Sequence, residues 1–320
     1  MRTTKTWHIA AIIATCTCVG THGSVAQSYP TKPVRILAAS VGSSADFFAR
    51  YIGQKLTAQC RKPVVIDNRG ATVAARTAAK ATPDGYTLFT GETASLANAP
   101  AIYDQLTYNP AKDFAPITLM TKAPLVAVAH PSVAANNLLE LIAYARQNPK
   151  KINYGTGGNG TGAHLAAALF AQLTGVEIVQ IQYKGAGPVM PALVAGEIHI
   201  AFLSLSTAMS QIKAGRIKAY AVTSNKRFPS LPNIPTGAEA GVPGLDMELW
   251  FGLLAPASTP AAIIAQLNRE VVDILNLPAT QTAFLAQGAE TSPTTPIEFQ
   301  RHILSEIAKS AKIIKGLGGV

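Results

Sequence analysis

A chain of 320 residues is long enough for two ordinary domains or one large one. With 48% hydrophobic and only 14% charged residues it fills a core, which excludes a largely disordered protein. The formal charge of +10 admits nucleic acid, a membrane surface or an acidic small molecule as partner, but the Lys and Arg residues are scattered and never run to four in a row.

Arg2 and Lys5 precede an apolar run over residues 7–20 and the small residues Ser24-Val25-Ala26. That pattern predicts a secretory signal peptide over residues 1–26, cut after Ala26. The run is too short for a membrane span, and no later stretch approaches about 18 uninterrupted apolar residues. Cys16 and Cys18 raise a lipoprotein reading, although Thr15 is larger than a lipid-attachment site favours. Cleavage lowers the charge to +8 and leaves Cys60 alone, so no internal disulfide is expected and the core must carry stability. Export removes nucleic acid from the partners and leaves an anionic ligand.

Residues 33–39 (PVRILAA) are a short β-type run, and the spacing of Phe48, Ile52 and Leu56 predicts a helix over 45–58. A strand at 63–67, an alanine-rich helix at 73–80 and the turn Pro83-Asp84-Gly85 lead to a third strand at 86–90. A helix around 95–103 is followed by strands at 117–120 and 125–129. After His130-Pro131 the pattern restarts with a helix at 138–147, a β-like segment through Ile152 and Tyr154, a helix at 163–173 and a strand at 177–182. Next come a helix at 188–195, strands at 198–203 and 219–223, and a helix at 207–214 between them. Proline-punctuated loops at 231–235 and 241–244 precede a strand at 250–255 and helices at 260–275, 279–287 and 296–315. This alternation predicts two α/β units with largely parallel sheets, joined by more than one crossing of the chain.

The stretch 154–165 (YGTGGNGTGAHL) reads as a strand, then glycines and hydroxyls, then a helix start. Its uncovered N–H groups and helix dipole make a place to hold an anion. Gly155-x-Gly157-x-x-Gly160 satisfies the dinucleotide fingerprint by letter, but that fingerprint also needs an acid at the end of the following strand. Glu177 stands at the beginning of that strand, roughly 15 Å from its end at Gln182-Tyr183. There is no P-loop, no nucleophile elbow and no pair of carboxylates in a shared loop. His130, His164, His199 and His302 lack metal-ligand spacing. No cofactor, metal or catalytic machinery is expected, so the chain reads as a non-enzyme. What remains is a set of small polar strand-to-helix loops at 40–46, 156–162, 185–187 and 204–207, the kind that line a ligand crevice at the carboxyl ends of strands. Two lobes closing on a small molecule describe a solute receptor.

The chain also resembles the extracytoplasmic solute receptors of the tripartite tricarboxylate transporter type, the Bug receptors. The resemblance runs from Tyr29-Pro30-Thr31-Lys32-Pro33-Val34-Arg35-Ile36 through Pro63-Val64-Val65-Ile66-Asp67-Asn68-Arg69 and Pro83-Asp84-Gly85-Tyr86-Thr87-Leu88. It continues in the 154–165 stretch, Tyr183-Lys184-Gly185, Ala221-Val222-Thr223-Ser224, Leu231-Pro232-Asn233-Ile234-Pro235-Thr236 and Trp250-Phe251-Gly252-Leu253. It implies a two-lobed periplasmic binding protein fold of class α/β, each lobe a mixed, mostly parallel sheet flanked by helices with the ligand cleft between them. Lobe 1 is expected to comprise 27–129 plus 251–320, and lobe 2 residues 130–250. The implied function is capture of a small organic carboxylate, held by backbone N–H groups and waters rather than by an arginine, with delivery to membrane permease subunits. The alternative is a receptor that signals to a membrane sensor without transport. A monomer is expected.

The resemblance places Gly42, Ser43, Ser44 and Asp46 in the first ligand loop, with Ser40 preceding them. Val41 and Ser43 stand where the family usually has proline and a second glycine, and Asp46 either caps the loop or meets the ligand directly. Gly158, Asn159, Gly160 and Thr161 form the second loop, with His164 either touching the ligand or bonded at the helix start. Tyr183, Lys184 and Gly185 form the third; Lys184 either attracts the anion or is a solvated charge. Ser204 and Thr207 complete the set. The family often shows an acid after Phe202, where this chain has Leu203-Ser204, which weakens the case for an amine-bearing ligand.

Overall fold

The computed structural model describes residues 29–316, so the expected signal peptide lies outside the described residues. The first strand, β1 (Val34–Ala38), sits between two neighbours and is covered on both faces, which is why VRILA is almost continuously apolar. Helix α1 (Ser44–Cys60) buries Phe48, Ala49, Ile52 and Leu56 on one stripe and ends at Arg61 in the left-handed conformation, φ 54°. Strand β2 (Val64–Asn68), helix α2 (Ala71–Ala79) and strand β3 (Thr87–Glu92) complete a parallel set, with β1 paired to both β2 and β3. A π-helical turn (Ala94–Asn98) runs into the short α3 (Ala99–Ile102).

Strand β4 (Phe114–Ala129) is one 16-residue element where two shorter strands were expected. Its ladder partners explain its length. The first part, through Pro124, pairs antiparallel with β9, while residues from Leu125 onward pair antiparallel with β7 and β8. Lys122-Ala123-Pro124 looks like a break in the sequence, yet Pro124 falls at the last β9 partner, where its missing donor removes little.

The second half repeats the alternation: α4 (Leu138–Gln147, N-capped by Asn137), β5 (Asn153–Thr156), α5 (Gly162–Thr174), β6 (Val179–Gln182), α6 (Val189–Ala195), β7 (Ile200–Ser204), α7 (Leu205–Lys213) and β8 (Lys218–Val222). Here β5 pairs parallel with β6 and β7. The chain then returns through β9 (Glu248–Pro256), α8 (Ala261–Leu275), α9 (Pro278–Ala286), β10 (Glu290–Thr291) and α10 (Pro296–Gly316). The sheet order is β2-β1-β3-β9-β4-β7-β5-β6, with β8 and β10 also on β4. The protein is thus a mixed α/β structure whose outer parallel strands are stitched together by antiparallel β4 and β9.

Helix α10 joins the cores of both halves. Phe299 and Ile303 pack with Phe89 and Trp250, whereas Ile313 and Ile314 join Leu125, Phe170 and Phe202. Among the described residues no helix is long and apolar enough to cross a membrane.

Candidate functional site

Three strand-to-helix junctions open on one cavity of about 710 Å³. They are β1 to α1 with Gly42, Ser43 and Ser44, β5 to α5 with Thr161 and Gly162, and β7 to α7 with Ser204 and Thr207. Each helix therefore presents its N-terminal turn, with the partial positive charge of its dipole, to the same space.

The first loop is held by its own aspartate. Oδ2 of Asp46 accepts the Gly42 N–H at 2.9 Å, Oδ1 accepts the Asn68 amide at 2.8 Å, and the Arg50 guanidinium lies 2.7 Å from Oδ1. Burial raises the Asp46 carboxyl, but the Gly42, Asn68 and Arg50 contacts together hold it below the ordinary carboxylate range. Asp46 thus orients the loop. Ser43 is the N-cap of α1, its hydroxyl accepting the Asp46 N–H at 3.2 Å. Among the described residues the Ser44 and Ala45 N–H groups have no capping partner. Gly42 carries φ +79°, and Ser43, standing where a glycine was expected, keeps ordinary extended backbone at φ −75°.

The second loop is built the same way. Thr161 caps α5 by accepting the His164 N–H at 3.3 Å and donates to the Gly158 carbonyl at 2.8 Å. The Gly162 and Ala163 N–H groups are left without a capping partner among the described residues. His164 is buried; its Nδ1 accepts the Gly160 N–H at 3.1 Å, and burial holds the ring below the ordinary histidine range. Gly157 has no room for a side chain, because a Cβ would sit 2.7 Å from the Ala186 nitrogen. Two backbones meet there, and the Gly185 N–H donates to the Gly157 carbonyl at 3.2 Å. Gly160 has φ +73°, a Cβ on it would collide with Ile102, and its carbonyl accepts from Asn98 at 2.9 Å.

Of the expected residues, Gly42, Ser43, Ser44, Asp46, Thr161, Ser204 and Thr207 line the cavity. Gly160 and His164 are buried outside this lining, Gly158 is half-buried and Gly185 is exposed, while Ser40 is exposed and its carbonyl accepts the Ser43 N–H at 3.1 Å. Asn159 is exposed and accepts from Gln180 at 3.2 Å. Tyr183 packs partly into the core under β7, and Lys184 is exposed with no ion pair among the described residues. The Ser204 hydroxyl lies 2.7 Å from that of Thr207.

Sequence reasoning missed the apolar wall of Phe47, Leu249 and Phe251, and the charged residues Arg50 and Glu92. Arg50 could have been found as the i+4 partner of Asp46. Its guanidinium is committed, to Asp46 and to Asn68 at 2.7 Å. Glu92 ends β3, two residues beyond the expected end of that strand, and burial pushes its carboxyl up to about 7.

A mixed sheet with helix starts converging on one cavity is the arrangement of a small-molecule-binding α/β fold. The model of the tripartite tricarboxylate transporter family receptor matches residues 48–319, and the chain belongs to that family. It is 32% identical over 298 residues to Protein BugT of Bordetella pertussis, covering 92% of this chain and 91% of BugT. Among solved structures, Rpa4515 of R. palustris with adipate is 35% identical with a TM-score of 0.83, covering 91% of this chain and 99% of that one. MatC of Rhodopseudomonas palustris with bound malate is 29% identical with a TM-score of 0.78, covering 89% of this chain and 100% of MatC. The family consists of solute-binding receptors and not of enzymes.

Proposed function

We propose that the protein is exported, loses residues 1–26, and captures a small organic carboxylate in its cleft for a tripartite tricarboxylate-type membrane permease. In this reading lobe 1 comprises 27–129 plus 251–320 and lobe 2 comprises 130–250, and the lobes close on the ligand. The carrying observation is the convergence of three helix starts on a cavity whose one lining guanidinium among the described residues, Arg50, is already engaged. A carboxylate there meets the Ser44, Gly162 and Ala163 N–H groups and the hydroxyls of Ser44 and Thr207. The adipate and malate held by two relatives agree with such a ligand.

Selectivity follows from desolvation. A ligand that leaves one of these donors unpaired in the closed cleft forfeits about 1–3 kcal/mol. The test is a thermal-shift panel of mono-, di- and tricarboxylates, amino acids and aromatic acids on the mature chain. A cognate carboxylate at a hundred times its Kd adds about 2.7 kcal/mol of stability and raises Tm by several degrees. No rise with any carboxylate sinks the proposal.

A further inference from the structure

We propose that Glu92 sets the ligand class of this cleft by serving as the counter-charge for a protonated amine, so that an amino-carboxylate is preferred over a dicarboxylate of the same skeleton. The inference rests on the carboxylate-receptor reading and narrows it.

Glu92 lies opposite Phe251 of β9 in the ladder and lines the same cavity as the three helix starts. Its backbone is engaged with the Ser95 hydroxyl, the N–H donating at 3.4 Å and the carbonyl accepting at 3.2 Å. Its carboxylate makes no hydrogen bond and no ion pair among the described residues. Among the described residues no cationic side chain pairs with it. Across the cavity, Arg50 and Asp46 of α1 hold one another. The π turn offers Thr93, Ala94 and Ser95, and β9 offers Trp250 and Phe251, none of them charged. The Tyr108 hydroxyl donates to the Ser95 carbonyl at 2.6 Å. Arg76 of α2 is exposed and lines a separate hollow. On α10, Glu306 pairs with Lys309 and accepts from the Trp250 indole.

A ligand that closes this cleft strips water from Glu92, and a carboxylate so placed must be paired or protonated. An ammonium group supplies the pair directly. A second ligand carboxylate brings another acceptor and another negative charge, and it binds only with a proton taken from solution. The two classes therefore carry opposite proton linkage. Burial holds the Glu92 carboxyl up to about 7, so an amine-bearing ligand, which selects the ionised form, binds more tightly as pH rises through that value. A dicarboxylate binds less tightly. Leu203-Ser204 places no acid on the β7 wall, and Glu92 provides a carboxylate from another wall.

The test is calorimetric titration of the mature chain with matched probes: caproate, norleucine, ε-aminocaproate and adipate, then benzoate, aminomethylbenzoate and terephthalate. Each is measured near pH 6 and near pH 8, on the wild type and on Glu92→Gln. An amine-bearing probe should bind about tenfold more tightly than its deaminated and dicarboxylate counterparts, with affinity gaining several-fold toward the higher pH. Glu92→Gln should erase both the preference and the pH slope, and the simple monocarboxylate, which leaves Glu92 unpaired in the wild type, should bind the variant no less tightly and without a slope near pH 7. Tightest binding by a dicarboxylate, with affinity falling as pH rises, overturns the assignment, as does an amine preference that survives in Glu92→Gln. The wild-type slope decides the matter even if the variant folds poorly. If carboxylates bind without any amine preference, only the role of Glu92 fails; if none binds, the receptor reading fails with it.

Discussion

The Gly160 N–H donates to Nδ1 of His164 across 3.1 Å, so a loop that opens on the cavity is fastened from behind by a buried ring. The bond fixes the tautomer, with Nε2 carrying the proton. Replacing His164 with Ala should cost about 1–3 kcal/mol, because the buried Gly160 N–H loses its acceptor. Chemical denaturation measures this loss. Ligand affinity should fall as well, since the 158–161 loop is no longer pinned. An unchanged midpoint would show that the bond carries no weight.

His302 gives a prediction for pH. Burial first, and then Lys122 and Lys309, push its ring down to about 4, and its Nε2 is buried without a hydrogen-bond partner. It lies edge-on to Trp250, with ring centroids 5.1 Å apart. Above the unfolded value of about 6.5, both states hold the ring neutral and His302 contributes no slope. Between about 6.5 and 4 the unfolded chain binds the proton first, so stability falls as pH falls through that window. Melting curves from pH 7 to pH 4 should drop less for His302→Phe than for the wild type.

Asp46 also loses stability on acidification, but because the folded structure stabilises its charged form and not its neutral one. Its folded pKa lies below the unfolded one, so its contribution is present above the unfolded carboxylate value and is lost as pH falls through the folded one. Asp46→Asn should cost about 1–3 kcal/mol by releasing the Gly42 N–H and the Arg50 guanidinium. It also frees Arg50 toward the cavity, so affinity for carboxylates should become more sensitive to salt. Titrations at low and high ionic strength check this outcome; identical salt slopes would count against it.

Gly160→Ala combines two penalties that can be separated. The positive φ costs about 1–2 kcal/mol for any side chain, and the added methyl meets Ile102. Shortening Ile102 to Ala in the same chain should remove the steric part and leave the backbone part. A double-mutant cycle on denaturation midpoints measures the split, and strict additivity would refute it.

The elements were readable because burial and pattern agree. The apolar stripe of Phe48, Ile52 and Leu56 faces the core, and Ser43 and Thr161 cap the helices that follow glycine-rich loops. The continuity of β4 was hidden, since Lys122 and Pro124 look like a turn unless the β9 and β7 ladders that take over from each other are known. The site was legible as polar loops but not as a volume. Phe47, Leu249 and Phe251 carry no mark that separates a cavity wall from a core, because apolar side chains look the same on either side of that boundary. Glu92 was not legible because Gly91 after the apolar run looks like a strand end, whereas the ladder with β9 continues through Glu92.

Strand β4 belongs to both ladders, and its pairing with β9 shifts register between Pro116 and Thr118 and again between Leu119 and Thr121. Such irregularities add twist. In the proposed closing motion, a strand that is hydrogen-bonded on both sides and already coiled would act as a torsion spring, since a clean break along it would tear the ladder. Ligand release should therefore proceed by a small rotation spread over many residues, with the β4 amides staying protected from hydrogen exchange throughout the cycle. Rapid exchange along β4 in the unliganded protein would point instead to a loose joint.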